Sequence, residues 1–226
     1  MPLITSANIA CGAHAGDTAT MRATVALAVK HGVAAGAHPG FADRENFGRR
    51  ELPATPAEVQ ALVRNQTEAL RALGPVRHVK AHGALYNLAA RDAALADAIV
   101  DAVRAVDPAL VLFALAGSEL VRAGGERGLR VASEVFADRT YQRDGSLTPR
   151  SQPDALIRDE GVAVAQVLRM IGDGVVRATD GTEVPIVADT VCLHGDGPHA
   201  VAFARRLNAE LCSAGIELNA FASGSN

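Results

Sequence analysis

The sequence predicts an α/β fold built around a barrel-like parallel sheet, and three observations carry that reading. Short apolar runs alternate with segments of helical period along the whole chain. Four of those runs end in a histidine followed within two residues by Gly or Pro: Ile9-Ala-Cys-Gly-Ala-His14, Val33-Ala-Ala-Gly-Ala-His38, Val76-Arg-His-Val-Lys-Ala-His82 and Val191-Cys-Leu-His194. No linker, repeat or low-complexity block interrupts the alternation, so residues 1–226 read as one domain. Six strands are expected, at about 3–10, 33–37, 76–81, 111–116, 129–135 and 189–193. Each precedes a helix or a long loop, and ligands of such sheets gather beyond the carboxyl ends of the strands.

Taken in order, the first helix is expected over Thr18–Lys30, where Met21, Val25, Ala28 and Val29 keep a helical period. Asp17 or Thr18 serves as its N-cap, and His31-Gly32 ends it. Pro39 to Pro53 has no period and holds Phe41, Asp43, Phe47 and Gly48-Arg49-Arg50; a loop of this length inside an α/β domain points to function. Thr55-Pro-Ala-Glu58 spells a capping box with Pro at the first helical position, opening a helix to about Leu73. Further helices are expected at about Asp92–Val106, Ser118–Ala123, Asp159–Ile171 and Pro198–Ala214. Val175 to Pro185 reads as a hairpin turning at Asp180-Gly181, inserted outside the main sheet.

Composition narrows the function classes. A net charge of −3 gives no electrostatic argument for nucleic acid or an acidic membrane. No apolar run approaches the roughly 20 residues that span a bilayer. Cys11, Cys192 and Cys212 are odd in number and lack paired spacing, which argues against a disulfide framework or a zinc knuckle and for a cytoplasmic protein. Neither a G-x-x-x-x-G-K-[ST] nor a G-x-G-x-x-G string occurs, which counts against a self-contained nucleotide site.

The strand ends supply the chemistry. Four imidazoles at one relative position are hard to explain as unrelated structural residues, because burial obliges each ring to satisfy a donor and an acceptor. His31, His78 and His199 fall outside the pattern and read as structural. In one reading His14, His38, His82, Glu134 and Asp196 include the ligands of a divalent metal that activates water. In the other, these groups bind and protonate a small substrate directly. Lys80, Arg139 and the Arg49-Arg50 pair would then neutralise a carboxylate or phosphate, and Asn8 and Asn87 would donate to a carbonyl or cap turns. Cys11, without an adjacent base, reads as packing.

Six strings in order resemble the LamB/YcsF family, the A subunits of 5-oxoprolinase. They are Ser6-Ala-Asn-Ile-Ala-Cys-Gly-Ala-His-Ala-Gly-Asp17, Gly36-Ala-His-Pro-Gly40, Phe47-Gly-Arg-Arg50, His82-Gly-Ala-Leu-Tyr-Asn87, Glu134-Val-Phe-Ala-Asp-Arg139 and His194-Gly-Asp196. The resemblance runs from about Ile4 to about Ala214. It implies an irregular seven-stranded (β/α) barrel of the glycoside hydrolase/deacetylase type. It also implies ATP-dependent opening of the lactam 5-oxoproline to L-glutamate with partner subunits B and C, the ATP bound with or by those partners. His14, Asp17, His38, His82, Glu134, Asp138, His194 and Asp196 are then the expected catalytic groups, and Asn8, Lys80, Arg49, Arg50, Asn87 and Arg139 the expected substrate-binding ones.

Two departures stand out. Family members usually begin with a further strand reading Asp-Leu-Asn-x-Asp-Leu-Gly-Glu. This chain starts at Met1-Pro2-Leu3, so the expectation is a barrel without its first strand and two carboxylates at its mouth. Ala81 stands where the family commonly has Pro, which relaxes the backbone ahead of His82 slightly. Two rival functions remain: a stand-alone metal-dependent amide or N-acetyl hydrolase, and a non-catalytic interaction subunit.

Overall fold

The structure is a computed structural model that describes residues 1–195, 197 and 200–221. Six strands form a sheet in the order β1 (Ser6–Ala10), β2 (Ala34–His38), β3 (His78–Val79), β4 (Val111–Leu115), β5 (Val131–Phe136) and β8 (Thr190–Cys192). The β1–β2, β2–β3, β3–β4 and β5–β8 pairs are parallel. All six expected strands are therefore present, and the sheet of described residues has six strands where the resemblance implied a barrel of seven. The expected hairpin is a separate antiparallel pair, β6 (Val175–Arg177) with β7 (Glu183–Pro185). Ala178 N–H donates to the Thr182 carbonyl, so the turn holds three residues, Thr179-Asp180-Gly181, rather than the two expected.

The helices are α1 (Thr18–Lys30), α2 (Pro56–Arg71), α3 (Gly83–Arg91), α4 (Ala93–Val106), α5 (Glu119–Glu126), α6 (Glu160–Gly172) and α7 (Ala200–Ser213). Helix α1 matches its expected bounds, with Asp17 accepting from Thr20 N–H as N-cap. The Thr55–Glu58 capping box forms in full at the start of α2. Helix α3 is not among the expected elements. It opens at Gly83 directly behind His82, and its short apolar stripe of Ala84, Leu85 and Ala89 merges into that of α4.

Alpha-carbon proximity divides the chain into two compact units. The first holds Met1–Ala114, Ser118–Ala132 and the described residues from Ala220 on; the second holds Leu115–Gly117 and Ser133–Asn219. In the first unit α1 packs on β1 and β2, and α2 lies against α4. Val59, Val63, Leu70, Ile99, Val100 and Val103 are fully buried there, as the period of each helix requires. In the second unit α6 packs against β6 and α7, and its Ala163, Val164, Val167 and Met170 are buried. Among the described residues no helix is long and apolar enough to cross a membrane.

Candidate functional site

In the first unit three strand ends deliver three imidazoles to one place. His38 is the last residue of β2, His82 caps α3 just after β3, and His14 sits in the turn after β1. His14 and His82 stack, ring centroids 3.8 Å apart and 7° from parallel. His38 meets His82 edge-on at 4.8 Å, with its Nε2 3.0 Å from His82 Nδ1. His14 and His82 are buried, and His38 is half-buried.

Backbone carbonyls fix the outer nitrogens of the His38–His82 pair. His38 Nδ1 lies 2.7 Å from the Lys80 carbonyl oxygen, and His82 Nε2 lies 2.7 Å from the Phe47 carbonyl oxygen. A carbonyl only accepts, so each of these nitrogens is the donor. Phe47, in sequence no more than a loop aromatic, thus belongs to the site. It is the one described non-glycine residue with positive φ, at 55°, an uncommon conformation for a bulky side chain that tends to occur at functional positions. Its ring also stands edge-on to His14 and His82, with the Arg49 guanidinium above it.

Small residues make room for this stack. A Cβ on Gly48 would lie 2.9 Å from His14 Cβ and 3.0 Å from His82 Cδ2, and Gly48 itself has φ +64°. The long loop is also tied to the turn after β1: Arg44 donates to the Gly12 and Gly16 carbonyls at 2.6 Å each. Burial, followed by the charges of His82, Arg44 and Arg49, pushes His14 down to about 3. Its Nδ1 has no hydrogen-bond partner among the described residues. Burial, with Lys80 and His82 adding to it, holds His38 well below the ordinary histidine range.

The remaining predicted residues of the first unit take varied places. Lys80 is buried, with its ammonium 5.5 Å from the Tyr86 ring centroid. Arg50 pairs with the buried Asp43 carboxylate at 3.4 Å. Asp17 is exposed and spends its carboxylate on the α1 cap. Asn87 is an exposed residue of α3. Asn8 Oδ1 lies 2.9 Å from Nε2 of His78, so this residue, structural by its place in a strand, proves to be the partner that orients the amide. His78 stacks on Phe113 and fills the space that Gly36 leaves, where a Cβ would come within 2.0 Å of Nε2. His78-Val-Lys-Ala-His82 has the four-residue spacing of a helical ligand pair, but this segment is extended, so the two rings do not share a helix face.

The second unit holds its own cluster. His194 Nδ1 lies 2.8 Å from Asp138 Oδ2, and Arg150 donates to His194 Nε2 at 3.1 Å. A guanidinium cannot accept, so Nε2 carries the lone pair and Nδ1–H points at the carboxylate. Burial would raise the Asp138 carboxyl, but the His194 hydrogen bond, the His194 charge and Arg150 outweigh it and hold it low. Arg150, absent from the predicted set, is the residue that sequence reasoning missed here; it lay in a polar stretch with no distinguishing spacing. Arg139 is buried and donates to the Ala155 and Thr148 carbonyls, so it pins the 140–156 loop; burial, then Arg150, lowers it to about 10. Glu134 is buried on β5. Asp196 and His199 lie outside the described residues.

Among the described residues no group of three or more His, Cys, Asp or Glu is arranged to hold a metal ion. The stacked rings of His14 and His82 are packed on each other rather than splayed around a common point. Asp196, one of the ligands expected in the metal reading, lies outside the described residues.

The LamB/YcsF family profile matches residues 1–226. The chain belongs to the LamB/YcsF family. It is 60% identical over 225 residues to a protein of Geobacillus thermodenitrificans named as the A subunit of 5-oxoprolinase, covering 97% of this chain and 88% of that one. The protein of the same name from Bacillus subtilis is 56% identical over 222 residues, covering 96% and 86%. Among solved structures, a lactam utilization protein from Thermus thermophilus matches with a TM-score of 0.90 and 47% identity, covering 97% of this chain and 90% of that one. In this LamB/YcsF chain, then, the strings that carried the resemblance include the three-histidine cluster of the first unit and the Asp138–His194 pair of the second.

Proposed function

We propose that this chain is the A subunit of an ATP-dependent 5-oxoprolinase, which opens 5-oxoproline to L-glutamate together with subunits B and C. The observation that carries the chemistry is the hydrogen-bonded His38–His82 pair with His14 stacked on it. The substrate comes from the name shared by the relatives. A lactam is a stable amide. Its opening needs a polarised carbonyl, a water made nucleophilic, and a proton for the departing nitrogen. Imidazoles held in defined tautomers by backbone carbonyls suit the proton steps. Lys80 and Arg49 beside them suit the substrate carboxylate.

ATP serves to phosphorylate the lactam carbonyl oxygen, and its binding falls to the partners, because the chain has no phosphate-loop string. The seven-stranded barrel belongs to the same proposal, supported by the parallel strand order. So does a cytoplasmic setting, supported by three free cysteines. The test is reconstitution: purified chain, partner subunits, ATP and 5-oxoproline should release glutamate. A folded complex that forms without turnover would instead favour a non-catalytic role, and turnover of an amide by the chain alone would favour a stand-alone hydrolase.

A further inference from the structure

Asn8, Gly36 and His78 stand in one row across the parallel strands β1, β2 and β3, on one face of the sheet. The middle position is glycine, and the His78 ring lies across it: a Cβ on Gly36 would come within 2.0 Å of His78 Nε2. That gap lets the ring reach past β2, where Nε2 lies 2.9 Å from Asn8 Oδ1. Phe113 stacks on the ring at 4.2 Å and 14° from parallel, and Phe221 meets Phe113 at 5.6 Å. His78 is buried in this stack, yet the amide it holds belongs to an exposed residue.

The ring has one proton to place. Burial, then the charge of Lys80, pushes His78 down to about 3, so at pH 7 the imidazole is neutral. Among the described residues Nδ1 has no hydrogen bond, and a proton there would be a buried donor left unpaired. On Nε2 the same proton meets the Asn8 oxygen. An amide engaged through its oxygen turns its NH2 group away, and Asn8 Nδ2 has no acceptor among the described residues.

We propose that His78 is a positioning residue that sets substrate preference: its Nε2–H fixes the Asn8 amide with the NH2 group outward, and that group binds the ring carbonyl oxygen of the lactam. This role rests on the 5-oxoproline-opening function above and specifies how the lactam is told from other small cyclic acids. There the substrate carboxylate goes to Lys80 and Arg49 and the ring nitrogen to the imidazoles, so the carbonyl oxygen is the polar atom still to be recognised. Asn8 shares the sheet face of His38 and lies one row nearer the amino ends of the strands, about 7 Å along the strand direction. A five-membered ring with its substituents bridges that distance. A face that only donates favours an oxygen and offers nothing to a methylene in the same place. An amide free to flip would also present its own oxygen, which repels the carbonyl; the His78 N–H removes that orientation.

Two carboxylates that differ only in the carbonyl read this contact. 3-Oxocyclopentanecarboxylate keeps the carbonyl of 5-oxoproline and has CH2 in place of its N–H, and cyclopentanecarboxylate lacks the carbonyl as well. Calorimetric binding of each to the assembled complex needs no turnover, and 5-oxoproline itself is the control. The wild type should prefer the ketone by about 2–10-fold, the range of one net hydrogen bond. H78F keeps an aromatic ring on Phe113 without the N–H and should abolish the preference. N8D keeps an acceptor for His78 but shows the ligand an oxygen, and should abolish or reverse it; Asn8 is exposed, so N8D serves even where H78F fails to fold. On the isolated, labelled wild-type chain, NMR should find His78 Nε2 protonated and Nδ1 bare at pH 7. A bare Nε2 would overturn the inference, because the amide would then donate to the ring and face outward with its oxygen. So would a ketone preference that survives in H78F or N8D. A complex that binds 5-oxoproline but treats the two analogues alike sinks this inference and leaves the substrate reading standing, whereas one that does not bind 5-oxoproline sinks the substrate reading itself.

Discussion

The two units treat their histidines in opposite ways. In the second, His194 faces two charged side chains: Asp138 Oδ2 lies 2.8 Å from its Nδ1, and Arg150 lies 3.1 Å from its Nε2. In the first, both outer nitrogens of the His38–His82 pair face carbonyls and the inner two face each other. A carboxylate and a guanidinium offer one acceptor and one donor. Two backbone carbonyls offer two acceptors, one to each ring. The same side chain is thus held by charged side chains in one place and by main-chain carbonyls in the other. Partner chemistry, not burial alone, makes the difference.

The largest expected effect bears on which unit does acid–base work. In the reconstituted enzyme, H82A should lower kcat by about 10²–10⁴-fold, the range for loss of a general acid or base. D138N in the same assay sharpens the comparison: an undiminished kcat there would confine the acid–base step to the first unit.

Acid should destabilise the first unit's core next. His14 and His78 are both lowered to about 3, by burial first, while an unfolded chain titrates near 6.5. Between those values the unfolded state binds protons that the folded state refuses, so stability is full above about 6.5 and falls as pH drops toward 3. The slope should approach about 1.4 kcal/mol per pH unit for each histidine. Urea midpoints at pH 7 and pH 5 check this; a flat profile would mean that these rings are reached by solvent.

Glycine substitutions come third. G36A drives a Cβ to 2.0 Å from the His78 ring, and overpacking of this kind costs about 1–3 kcal/mol or more. Urea unfolding should show that loss, and 5-oxoproline binding should weaken with it if His78 orients Asn8. G195A, beside His194, meets no described atom within 4 Å and should change stability by less than about 0.5 kcal/mol. Equal effects at the two positions would erase the contrast in how tightly the sites are packed. The smallest effect is expected of R150Q. Arg150 is exposed, so stability should move by no more than about 0.5 kcal/mol, while the His194 nitrogen signals should still report the Nδ1–H tautomer that Asp138 imposes.

Much of this was legible in residue order. The strands appeared as apolar runs, α1 and α2 as periods with caps, and the site as histidines at strand ends. Helix α3 was hidden because it starts on glycine and lasts nine residues, too short for a period to stand out from α4. His78 looked structural because it sits within a strand, and nothing in the string shows that Gly36 of the neighbouring strand opens space for its ring or that Asn8, two strands away, awaits its N–H. Asp17 looked equally suited to capping and to catalysis, and its hydrogen bond to Thr20 N–H puts it at the cap.

By itself, then, the amino-acid sequence determined the parallel α/β alternation, the placing of imidazoles at strand ends and the LamB/YcsF membership, because each is written in local period or contiguous motif. Only the tertiary structure decided that Phe47 lends its carbonyl to His82, that Arg150 completes the Asp138–His194 pair, and that His38 and His82 face each other across 3.0 Å. Those contacts depend on ring orientation and main-chain direction across tens of residues. A hydrogen bond is set by the angle at which two groups meet, and neighbours along the chain do not encode it.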